Sequence, residues 1–190
     1  MPHSQNLYFI AIIPKRELRE KITAFKQDFA NRFNSKYALR VFPHITLKAP
    51  FRLPANAHEE LLRWFADLHV LQNEFTIQLK NFGAFEKNRN PVIYINVIES
   101  KNIFNLQQQL MASFSSFFPN CVHPLDIKFK PHSTVAYKDL TREMFSKAWS
   151  EYQHKQFDAS FEVDAIYLLQ HDSKKWNIIA THNLNEKVAL

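Results

Sequence analysis

The sequence predicts an α+β protein built as two pseudo-symmetric lobes around a central groove. Three observations point there. The order strand, helix, strand, helix, strand occurs twice along the 190 residues. A small polar device, Pro-His-x-Thr followed by an aliphatic residue, occurs once in each half, at His44 in "FPHITLKAPF" and at His132 in "KPHSTVAYKDL". No linker or low-complexity stretch divides the halves. One bilobal domain over residues 1–190 is therefore expected, with an internal repeat of approximately 1–90 and 91–190.

The elements follow in order. "NLYFIAIIP" reads as a buried strand, rich in aromatic and β-branched residues and ended by Pro14. Leu18, Ile22, Phe25, Phe29 and Phe33 recur at spacings of three and four, which predicts a helix over 15–33. "LRVFPHITLKAPF" is extended, because Pro43 biases Phe42 away from helix. "PANAHEELLRWFADLHVL" is a second helix with Pro54 near its start. "EFTIQLKNFGAF" alternates, as a strand pair or as one strand bent near Gly83. The second half repeats the order. "PVIYINVIES" is a strand and "KNIFNLQQQLMASFSSFF" a helix. "LDIKFKPHSTVAY" is a strand carrying the second motif, and "TREMFSKAWSEYQHK" a helix capped by Thr141. "SFEVDAIYLLQ" and "WNIIATHNL" are strands joined at the polar turn "HDSKK".

Composition removes several classes of function. The single glycine, Gly83, excludes Walker loops, dinucleotide fingerprints and Gly-rich kinase loops, all of which need backbone close to phosphate at several positions. The single cysteine, Cys121, excludes an internal disulfide and a Cys-rich zinc site, and fits a reducing compartment. The early apolar run "LYFIAII" has no cleavage site after it and is too short to span a bilayer, so a soluble cytoplasmic protein is expected. A net charge of +6 suits a polyanionic substrate, though it also describes an ordinary solvated surface.

Strand alternation places His44, Thr46 and Lys48 on one face, with Ile45 and Leu47 toward the core. In the second copy Lys128, Lys130, His132, Thr134 and Lys138 share a face, and Ile127, Phe129, Val135 and Tyr137 take the other. Imidazole, hydroxyl and ammonium in a row suit phosphoester chemistry without a metal or cofactor. One neutral imidazole can take a proton from water while a protonated one gives a proton to the departing oxygen. The hydroxyls of Thr46 and Thr134 can donate to phosphate oxygens as charge gathers on them. A third match, His171-Asp172-Ser173, is followed by Lys174 and falls in the turn, so it reads as chance.

Two such motifs, each on a strand in one half of the chain, resemble the 2H phosphoesterase superfamily and within it the 2′–5′ RNA ligase-like branch. "YFIAIIP" is similar to that branch's start, and "FGAFEKNRNPVIYINV" to its mid-chain stretch. Val92 stands where many relatives carry a basic residue after the proline; Lys87 and Arg89 are the nearest cations. The resemblance implies two antiparallel sheets facing one another with helices outside. It implies hydrolysis of a 2′,3′-cyclic phosphate, or a related cyclic or 2′–5′ phosphodiester, of RNA ends or nucleotides. Some relatives also join RNA ends. Carried over, His44 and His132 are the acid–base pair and Thr46 and Thr134 the phosphate-binding hydroxyls. His132 is read as activating water and His44 as protonating the leaving oxygen.

Around that set, Phe42 is a candidate for stacking on a base and Tyr137 for reaching the groove rim. Lys48, Lys130 and Lys138 are candidate phosphate contacts. Trp64 and Trp149 read as core, and His123 and His182 receive no role. Two other readings stand beside catalysis: an RNA- or nucleotide-binding module of the same fold without turnover, and a metal-dependent hydrolase. No carboxylate stands within either Pro-His-x-Thr motif on the groove-facing parity, which weighs against a metal site. Both half-sites lie in one chain, so a monomer is expected.

Overall fold

The computed structural model describes residues 4–86 and 89–184. Its first strand, β1 (Gln5–Ile12), is buried on both faces. Tyr8, Ile10 and Ile12 enter the main core, while Phe9, Ala11 and Ile13 join Val41 and Leu169 in a smaller cluster on the opposite side. That explains the unbroken apolar run. Helix α1 (Arg16–Arg32) lays Leu18, Ile22 and Phe29 on the core, and a 3₁₀ turn (Tyr37–Arg40) leads to β2 (Ile45–Pro54). Helix α2 (His58–Ala66) is shorter than the sequence predicts, because a 3₁₀ turn occupies 55–57 and the chain straightens after Asp67. Then come β3 (Phe75–Phe85), β4 (Val92–Val97) and α3 (Lys101–Phe117). The chain ends through α4 (Pro124–Ile127), β5 (His132–Ala136), α5 (Arg142–Tyr152), β6 (Asp158–Val163), β7 (Ala165–His171) and β8 (Trp176–Asn183).

Two four-stranded antiparallel sheets result, ordered β2-β1-β7-β8 and β5-β4-β3-β6. The expected α+β architecture is present, but the sheets do not follow the halves of the sequence. Strand β3, from the first half, pairs with β4 and β6. Strand β7, from the second half, pairs with β1. The segment read as one strand, "SFEVDAIYLLQ", breaks at Asp164 and sends its two parts to different sheets. β2 and β5, which carry the motifs, are each an edge strand of one sheet, and they lie against each other.

Three local differences from the sequence reading bear on the site. β3 is a single bent strand, and the bend is a bulge between Leu79 and Phe82 with Asn81 in the left-handed region at φ 55. Gly83 beside it is needed for close approach: a Cβ there would lie 2.6 Å from the Tyr94 ring and from Asn96 Oδ1. Residues 124–127 form a helical turn, not a strand. Pro124 opens it, the His123 ring accepts from the Leu125 N–H, and the Asp126 carboxylate accepts from the His123 N–H. Ile127 is consequently 79% exposed where core was expected.

Candidate active site

Each motif histidine is held by the same local bond. His44 Nδ1 lies 2.7 Å from the Phe42 carbonyl and His132 Nδ1 lies 2.6 Å from the Lys130 carbonyl. A carbonyl only accepts, so Nδ1 carries the hydrogen in both rings, and in His44 Nε2 is the nitrogen left for proton exchange. The same bond occurs at His69, so it orients a ring without by itself marking a site. What sets the pair apart is its platform. His44 packs on Phe9 of the neighbouring strand β1, with ring centres 4.9 Å apart. His132 packs on Tyr94 of the neighbouring strand β4 at 5.0 Å, with Phe85 edge-on at 5.1 Å. The two-fold pattern therefore extends to the aromatic beneath each imidazole.

The surroundings then diverge. The His44 ring keeps an accessible edge but lies deep among protein atoms, and its pKa falls to about 4. Burial is the main cause; the charges of Lys26 and His132 add to it, and the Phe42 carbonyl opposes it. Lys26 comes from α1 and is 2% exposed. Its ammonium donates to the Ala38 and Val41 carbonyls at 3.1 and 3.0 Å, fastening the turn that leads into His44. Burial pulls that ammonium down to about 7. His132 instead borders an open cavity of about 460 Å³, shared with Thr46, Phe85, Val92, Leu125, Lys128 and Lys130. Its walls are mainly apolar and its cations are Lys128 and Lys130. The Lys130 ammonium lies 5.2 Å above Phe85 and 5.5 Å above Tyr94.

Thr46 and Thr134 are half-buried, and among the described residues neither hydroxyl has a protein acceptor. Thr134 pairs with Tyr94 in the β4–β5 ladder. Four expectations need correction. Lys48 does not share the face of His44 and Thr46. Register shifts along β1–β2 break the alternation and turn it inward, where it is fully buried. There it pairs with Asp126 at 3.0 Å, between the Phe51 and Phe114 rings. Lys138 and Tyr137 lie beyond the end of β5 and away from the cavity. Lys138, in the left-handed region at φ 62, donates to the Tyr37 hydroxyl at 2.9 Å, and the Tyr137 ring meets Tyr37 edge-on. Phe42 is 42% exposed but lines a separate shallow depression with Arg16 and Arg19, whose guanidinium lies 5.7 Å from its ring. Of the cations near Val92, Arg89 lines another depression with Lys138 and Arg142, and Lys87 lies outside the described residues.

The sequence reading missed Phe9, Tyr94, Lys26 and Asp126. Lys26 could have been found: it stands on the α1 stripe, four residues after Ile22, where a solvated lysine does not belong. Thr141 does cap α5, and Trp64 and Trp149 do pack on the core. His171-Asp172-Ser173 does form the β7–β8 turn. Among the described residues, no three His, Cys, Asp or Glu side chains gather as a metal-ligand group, and no helix is long and apolar enough to cross a membrane.

A family model described as the 2′-5′ RNA ligase superfamily matches residues 14–175. A protein of Bacillus cytotoxicus named as a candidate phosphoesterase is 28% identical over 178 residues, 93% of this chain and 96% of its own. One of Geobacillus thermodenitrificans is 30% identical over 165 residues, 82% of this chain and 87% of its own. Among solved structures, E. coli LigT complexed with 3′-AMP superposes with a TM-score of 0.69 at 18% identity, covering 96% of this chain and 100% of LigT. TT0787 of Thermus thermophilus gives 0.67 at 16% identity, with the same coverage. The paired histidine strands, the two antiparallel sheets and the family match together place this chain in the 2′-5′ RNA ligase superfamily of 2H phosphoesterases.

Proposed function

We propose that this protein hydrolyses a 2′,3′-cyclic phosphate, or a related cyclic or 2′–5′ phosphodiester, of an RNA end or nucleotide, by acid–base catalysis with two histidines. The observation that carries the reading is the pair of facing edge strands, each presenting an imidazole whose Nδ1 is tied to a carbonyl. Burial holds His44 neutral at neutral pH, the form that accepts a proton. This favours the reverse of the sequence-based assignment: His44 Nε2 takes a proton from water. The water oxygen bonds to phosphorus, one ribose oxygen leaves, and His132 Nε2 supplies its proton. The products are a phosphomonoester and a ribose hydroxyl. Thr46 and Thr134 donate to the non-bridging oxygens, which gain charge in the transition state. Lys128 and Lys130 attract the phosphate, and the apolar wall of Phe85, Val92 and Leu125 suits a base or ribose face.

LigT has been solved in complex with 3′-AMP, phosphate, ATP and NADP+, which supports a nucleotide-sized ligand here. Joining of RNA ends would use the same four side chains in reverse. Both histidines come from one chain, so the reading needs no second copy. The test is hydrolysis of the four nucleoside 2′,3′-cyclic monophosphates in EDTA, wild type beside the His44→Ala/His132→Ala double variant. Turnover in wild type, lost in the variant, is expected. Full activity in the variant would overturn the mechanism. Tight binding without product would favour the binding module, and loss of wild-type turnover in EDTA would favour a metal.

A further inference from the structure

We infer that Asp126 and Asp139 are positioning residues that tie β2 and the turn before it to the segments flanking β5, and so fix the spacing of His44 and His132. The inference rests on the two-histidine reading. The motif strands belong to different sheets and share no ladder, so no strand pairing sets their relative position. Two carboxylates supply that link. Just beyond β5, Asp139 accepts from the Ser35 hydroxyl at 2.9 Å and from the Lys36 and Tyr37 N–H groups at 2.8 Å each. That segment opens the turn leading to His44. Just before β5, Asp126 accepts from the Ala49 N–H at 2.7 Å and pairs with Lys48 at 3.0 Å, on the stretch leaving Thr46.

The ties are reciprocal. The segment just after β5 grips the approach to β2, and the helical turn ahead of β5 grips the middle of β2. Each carboxylate holds main-chain N–H groups, so it fixes backbone and not a mobile side chain. Ser35 and Lys48 are fully buried and Asp126 is 5% exposed, which shields most of these bonds from water. A misplacement of about 1 Å between reacting groups can lower a rate by on the order of 100-fold, so such ties are felt at the chemical step.

The test uses Asp139→Asn, at an exposed position that tolerates the change. The amide keeps one acceptor oxygen but turns an NH₂ toward N–H donors. Expected is a kcat at least ~10-fold lower on a 2′,3′-cyclic nucleotide, with KM little changed. In NMR spectra, the Cε1–H signals of both His44 and His132 are expected to move. Asp172→Asn, in the β7–β8 turn, removes a similar carboxylate that also accepts backbone N–H groups and should leave kcat unchanged. The second clamp is probed by Asp126→Asn with Lys48→Met, so that no lone buried charge remains. Ser35→Ala gives a milder version should either variant fold poorly. Unchanged kcat, or movement of one or neither histidine signal, overturns the inference. If wild type hydrolyses no cyclic phosphate, the function reading fails, and the two histidine signals alone decide the clamp.

Discussion

The two motif strands carry the same device and place it in unlike surroundings. His44 rests on Phe9, deep in the protein, with the Lys26 ammonium close enough to disfavour a second positive charge. His132 rests on Tyr94 at the edge of an open cavity furnished with Lys128 and Lys130. Beneath the rings the contrast continues. Ile45 fills the core after His44, whereas Ser133 takes its place after His132 and its buried hydroxyl has no partner among the described residues. A repeated motif thus supplies two similar imidazoles in unlike surroundings. An acid–base pair works with one imidazole neutral and the other protonated, and unlike surroundings favour one such arrangement over the other.

The strongest way to break the comparison is to delete either tool. His44→Ala and His132→Ala should each lower kcat on a cyclic nucleotide by about 10²–10⁴-fold. Both act in one step, so the double variant should fall little further than the worse single. Steady-state kinetics with all three variants checks this.

The second test disturbs one platform only. Gly83→Ala would drive a methyl group into the Tyr94 ring beneath His132. We expect kcat to fall by roughly 10- to 100-fold, while the titration of His44 stays unchanged. A matched pair of kinetic and NMR measurements separates the two effects.

The third test sharpens the electrostatic difference. Catalysis through neutral His44 is lost as pH falls through its pKa, so kcat/KM should decline below about 4. Lys26 is charged throughout that range, its own pKa being about 7. Removing the charge with Lys26→Met stabilises the imidazolium and moves the acid limb of the profile upward. A rise of about one unit would make the variant roughly threefold slower than wild type at about pH 4.5. The smallest effect concerns the core beneath the motifs. Ser133→Ala removes an unsatisfied buried hydroxyl and should stabilise the fold by about 1 kcal/mol, read from the urea midpoint. Ile45→Ser at the matching position should cost about 3 kcal/mol or more.

Much of this was legible in the sequence because it is local. Alternation around His44 and His132 placed Ile45, Leu47 and Val135 in the core, and the α1 stripe marked the helix face. What escaped depends on distant pairing. Nothing local in "FTIQLKNF" says that β3 joins the sheet of the second motif. The irregular β1–β2 register that buries Lys48 arises from how two strands meet, so parity counted along one strand fails there. The turn at 123–127 did carry a signal. A cap residue, a proline and an acid three residues after the cap form a capping box, but the apolar Leu125 and Ile127 made it look like a strand.

The most direct test of the central claim is an NMR titration of the His44 and His132 Cε1–H signals in wild-type protein, assigned with the single alanine variants. The account predicts that His44 titrates near 4 and stays neutral through the working range. A His44 that titrates near or above the ordinary value of about 6.5 would contradict the role drawn for it from its half-site.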